Sequence, residues 1–150
     1  MIRLAAALAL LTAPALAQTV TDCAQEVDLR LIAEPWDSAT RAFPEGDIRV
    51  VLLDTRDPAP VPFRLLILSP PYNDDGTRQC KVISGAEDWG YANMDLAAHD
   101  AAFDPDTGLL FSLPVTIWRA ADETTGPATL SFSLNAGSGE IATNLDLPGE

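Results

Sequence analysis

The sequence predicts an all-β fold: an antiparallel β-sandwich, or a small barrel, of about eight or nine short strands with one disulfide. Three observations carry this. Apolar runs recur at roughly ten-residue spacing, many alternating with polar residues. Clusters of Pro, Gly, Asn and Asp separate them. Exactly two cysteines occur, Cys23 and Cys80, in a chain that begins like an exported protein.

That beginning has a basic Arg3, an apolar run Leu4–Leu11 and a small-x-small site at Ala15-Leu16-Ala17. This is the pattern of a secretory signal peptide over 1–17, too short to stay as a membrane span. One domain, 18–150, is expected to follow. No later segment approaches the length of a membrane span, and Cys23 does not sit at the cleavage point as a lipid anchor requires. The expected address is the periplasm or the exterior, with Cys23 and Cys80 oxidised.

Val27, Leu29, Leu31 and Ala33 alternate as in a half-buried strand. Asp47 to Thr55 is nearly continuous in β-branched and leucine residues, and so is Phe63 to Leu68. Both read as central strands covered on two faces. Pro58, Pro60 and Pro62 break the chain between them. Ser69 to Gln79, with Pro70-Pro71 and Asn73-Asp74-Asp75-Gly76, reads as a surface loop. Cys80, Val82 and Ser84 form the next short strand.

Residues 86–102 suit two readings. Ala92, Met94, Leu96 and Ala98 fit a strand face, so 91–97 is predicted as strand. The alanine-rich stretch 96–102 also suits two helical turns. Asp104-Pro105-Asp106-Thr107-Gly108 is a tight turn. Leu109 to Trp118 is a long strand. Pro114 within it predicts an edge or a bulge, because proline donates no ladder hydrogen bond. Leu130, Phe132 and Leu134 alternate cleanly, as do Ile141, Thr143, Leu145 and Leu147. Ala136 to Gly139 joins these two strands. The predicted core is Leu29, Leu31, Val50, Leu52, Phe63, Leu65, Ile67, Val82, Leu109, Phe111, Ile117, Leu130, Phe132, Ile141 and Leu145. Trp118 is expected to join it.

The whole chain has 9 Lys+Arg and 22 Asp+Glu, a formal charge of −13. Removing Arg3 leaves 8 basic residues against 22 acidic ones, or −14. The scarcity of Lys and Arg disfavours nucleic acid as a partner. A basic protein, or an envelope polymer, suits the charge better.

Candidate sites are few. His99 is the sole histidine and the natural general base of a small hydrolase, the enzymatic alternative. No Gly-x-Ser-x-Gly nucleophile elbow accompanies it. Once the cysteines pair, zinc lacks ligands. Asp104 and Asp106 begin like a calcium loop but lack its later acids, and Asn73 to Gly76 is the other oxygen-rich turn. Trp36, Tyr72, Trp89 and Tyr91 occupy loops or strand starts, where aromatic rings suit a sugar or a protein partner. The expectation is thus a non-catalytic binding module without a cofactor. Its alternatives are a calcium- or carbohydrate-binding module, a small hydrolase, or a structural envelope component.

Overall fold

The computed structural model describes residues 17–23 and 27–149. The expected signal peptide lies outside these apart from Ala17. Ten strands form two antiparallel five-stranded sheets, an open sandwich and not a closed barrel.

In chain order the strands are β1 (Thr19–Asp22), β2 (Thr40–Phe43), β3 (Ile48–Asp54), β4 (Phe63–Tyr72) and β5 (Arg78–Ser84). They continue as β6 (Asn93–Met94), β7 (Asp100–Asp104), β8 (Gly108–Arg119), β9 (Thr124–Leu134) and β10 (Ile141–Asp146). The first sheet runs β1-β5-β4-β3-β2 and the second β10-β9-β8-β6, with β7 also on β8. The inner faces meet in one core. Val50, Leu65, Ile67 and Ile83 enter from the first sheet, and Leu109, Leu113, Leu130 and Leu134 from the second. All eight are 1% exposed or less.

The continuous apolar runs of β3 and β4 do mean burial on both faces. Val50 and Leu52 point into the sandwich, while Val51, Leu53 and Leu66 point away from it into a second apolar cluster. That cluster is covered by Val27, Leu31 and Ile32 and by the Cys23–Cys80 bridge.

The covering segment is not the strand that its alternation predicted. Leu29–Leu31 is a single 3₁₀ turn, capped by the Asp28 carboxylate, which accepts from the Arg30 N–H at 2.8 Å. Its ladder pairing is reduced to one bridge, Ile32 with Leu53. Leu29 therefore faces water at 72% exposure, a correction to the predicted core. Phe63, Ile117, Ile141 and Leu145 pack half-buried at the rim of the core. Trp118 is also half-buried, at the margin and not within.

Three more expectations change. The predicted loop over Ser69–Gln79 shrinks to 73–77, because β4 runs through Pro70-Pro71 to Tyr72, with a register shift between Ser69 and Tyr72. Within 91–97 the paired strand is only Asn93–Met94, followed by a 3₁₀ turn Leu96–Ala98 capped by Asp95. The strand carrying Pro114 is central, not an edge. The Pro114 carbonyl accepts from Asp95, on the side where β6 ends and β7 has not begun. The N and C=O of one residue point to the same side, so the missing N–H faces that break and costs the ladder nothing.

The β7–β8 hairpin turns through Gly108 at φ +92°, and a Cβ there would lie 2.0 Å from the Leu134 carbonyl oxygen. Glycine is required at that corner.

The disulfide closes a 57-residue separation and pins the cover of the second apolar cluster. Cys23→Ser combined with Cys80→Ser is expected to lower unfolding free energy by about 4 kcal/mol on chain-entropy grounds. Urea denaturation of the oxidised and the substituted protein measures this. Equal midpoints would contradict it.

Candidate functional site

Two concave features of the described surface stand apart from each other. The smaller is a cleft of about 200 Å³ at one end of the sandwich. The larger is a shallow groove of about 530 Å³ on the outer face of the second sheet.

The end cleft gathers aromatic residues. Trp89, Tyr91, Ile117, Trp118 and Leu145 line it, with Val61, Glu87 and the backbone of Gly85 and Gly90. Local structure explains how it is presented. The Gly85 N–H donates to the Trp89 carbonyl at 2.6 Å and the Trp89 N–H donates to the Ala86 carbonyl at 3.1 Å. The loop thus closes on itself and holds the Trp89 indole out at 46% exposure. Glu87 sits at the tip with φ 56° and ψ 33°, the left-handed region that costs a non-glycine residue about 1 kcal/mol. Backbone strain of this kind concentrates at working surfaces.

Tyr91 plays a different part from Trp89. Its backbone pairs with Phe63 in both directions, at 3.1 and 2.8 Å, which turns the ring inward. It is 1% exposed, and its hydroxyl donates to the Ser84 carbonyl at 3.4 Å. It is a wall of the cleft and not a free ring. Burial raises its hydroxyl pKa well above the ordinary tyrosine value. Gly90 makes the close approach possible, because a Cβ there would stand 2.1 Å from the Val61 carbonyl oxygen and 2.6 Å from that of Phe63.

The other two candidate aromatics do not join this site. Tyr72 lies at the far end of β4 from Phe63, and its hydroxyl donates to the Asp47 carboxylate. That bond, ahead of other effects, raises its pKa. Trp36, 53% exposed, lies in the turn that leads to β2.

His99 is packed as a ring. It stacks on Phe111 with centroids 5.1 Å apart, meets Phe43 edge-on at 6.1 Å, and its Nδ1 bonds the Leu96 carbonyl at 2.9 Å. No carboxylate or hydroxyl among the described residues is hydrogen-bonded to it. The Asp104 carboxylate accepts from the Thr107 and Asp106 N–H groups at 2.9 and 2.8 Å, and these bonds lower its pKa. Asp104 is thereby committed to closing its own turn. Asp75 is likewise held low by Thr77, whose hydroxyl and N–H donate to it. No group of three or more His, Cys, Asp or Glu residues among the described residues is arranged to hold a metal ion.

The groove was not foreseen. Strand register builds its floor from two transverse rows. Asp100, Ser112, Ser131 and Asn144 form one, and Ala102, Leu110, Ser133 and Ala142 the other. The sequence signal is that the outward positions of β7 to β10 contain no Lys, Arg or Glu, although solvent faces of sheets ordinarily carry such long charged side chains.

Two outcomes are expected at the cleft. Gly90→Ala forces a methyl group against two backbone carbonyls that no rotamer change can clear. It should cost about 3 kcal/mol by urea denaturation, as overpacking does. Stability should also fall as pH rises above about 10, where tyrosine ionises in the unfolded chain while folded Tyr91 stays protonated, so the unfolded state holds fewer protons. Tyr91→Phe should flatten that alkaline decline. Parallel pH profiles for the two proteins would contradict the assignment.

No known protein family matches the chain, and neither a curated protein nor a solved structure matches it.

Proposed function

We propose that the protein is an exported, non-catalytic binding module that holds a group of its partner in the end cleft. The leader pattern and the Cys23–Cys80 disulfide support an extracytoplasmic address. No helix among the described residues is long and apolar enough to cross a membrane.

The observation that carries the reading is Trp89. A large indole is held half-exposed on a self-closed loop, beside an apolar cleft walled by Tyr91 and Trp118. Leaving it in water forgoes burial of one of the largest apolar side chains, and rigid aromatic rings at a cleft are the usual anchors of binding sites. Glu87 at the same mouth favours a partner group that combines apolar surface with positive charge, which can stack on an indole. A second reading is an envelope polysaccharide, favoured by the open face of Trp89, on which a sugar ring can stack.

The test is retention from a low-salt envelope extract by immobilised oxidised protein, compared with the Trp89→Ala variant. Trp89 is a surface residue, so the variant should keep its melting temperature within about 2 °C. Species retained by the native protein should fall by about ten-fold on the variant, the scale of a lost aromatic anchor. Equal retention would remove the cleft from the binding function. Soluble glycan fragments that compete with retention would favour the polysaccharide reading.

A further inference from the structure

We propose that the groove on the outer face of the second sheet is a separate docking surface for a basic protein partner. This inference does not rest on the end cleft. Along β10, Ala142 and Asn144 face the groove, while Leu145 faces the cleft.

The charges of this protein are unequally compensated. The ion pairs Arg30–Asp28, Arg78–Asp47 and Lys81–Asp22 all lie before residue 82. From Ala92 to Gly149 the acids are Asp95, Asp100, Asp104, Asp106, Asp122, Glu123, Glu140 and Asp146, against a single cation, Arg119. Arg119 lies against Gly126, toward the far end of β8 from Leu110. The groove therefore has acids on both flanking strands, Asp100 and Asp104 on β7 and Asp146 on β10, and no cation on its floor.

The floor itself is suited to contact. Serine, alanine and asparagine side chains keep it low, so a partner can approach the sheet closely. Leu110 stands among them at 52% exposure, in one row with Ala102, Ser133 and Ala142, and gives the partner an apolar contact beside the acids. A concave surface of one sign focuses its field outward and raises the association rate of an oppositely charged partner. A second copy of this chain is the wrong occupant on the same ground, since each copy would bring the same acidic face.

The experiment uses the oxidised mature protein and a synthetic peptide of alternating lysine and alanine as probe. Amide resonances are followed during titration at low salt. Perturbations should centre on 100–102, 110–112, 131–133 and 142–144, and they should fade as salt approaches physiological strength. Ala142→Arg puts a cation at an exposed floor position and should weaken binding by about ten-fold, whereas Ala42→Arg, an exposed site on the first sheet, should change it by less than about two-fold. Asn144→Lys serves as the second floor variant should Ala142→Arg not fold.

Equal weakening by floor and control variants would overturn the proposal, leaving only a diffuse field. Perturbations centred on 85–91 would overturn it in favour of the cleft, and self-association through this face in sedimentation would overturn it in favour of a second copy. Trp89→Ala should leave peptide binding at the groove unchanged, so failure of the cleft reading and failure of the groove are read separately.

Discussion

The first sheet is apolar on both faces, and much of the architecture answers that constraint. Val50 and Leu52 on one side, and Val51 and Leu53 on the other, make both faces of β3 apolar beyond Arg49. The inner face is covered by the second sheet. The outer face has no third sheet to cover it, so the segment around Val27, Leu31 and Ile32 is laid across it. A short irregular segment buries little area and loses much conformational freedom when ordered. The disulfide offsets this by holding one end of the cover to β5 in the unfolded chain as well as in the folded one.

The second sheet follows the opposite rule. Its inner positions are core and its outer positions are mostly small or polar, with Leu110, Pro114 and Trp118 as exceptions on β8, close to the ordinary pattern of a half-solvated antiparallel sheet. What departs from the ordinary is the absence of long charged side chains from that face and the presence of a single cation, Arg119, between Ala92 and Gly149. The two sheets thus divide the molecule by chemistry. One is wrapped and carries the ion pairs. The other is bare and carries acid in excess of its one cation, Arg119. The end cleft forms where the two sheets meet, between the loop after β5 and the late part of β8.

Much of the fold was legible from periodicity. β8, β9 and β10 alternate as half-buried strands must, and the uninterrupted runs of β3 and β4 announce cover on two faces. The errors share one cause. Alternation records which side chains are apolar, not which partner their backbone finds. Val27 to Ala33 alternates like a strand, yet it serves as a lid, and Leu29 is left outside. Pro114 signals a missing donor, but whether that means a sheet edge or a gap between two neighbours depends on β6 and β7, which lie elsewhere in the chain. At the candidate site, Trp89 and Tyr91 were visible as aromatics. Their unlike roles follow from the pairing of Tyr91 with Phe63, a contact between distant residues.

The sequence alone determined the all-β class, the strand content of the last third, the acidic surface and the pairing of its two cysteines. Each of these follows from local period, composition or count. Tertiary structure decided the rest: that the strands form two open sheets, that the N-terminal segment covers one of them, that His99 stacks within an aromatic cluster, and that small residues from four strands line up as one groove. These depend on register and on the meeting of segments far apart in sequence. No local pattern encodes such meetings, because their free energy arises only when both partners are in place.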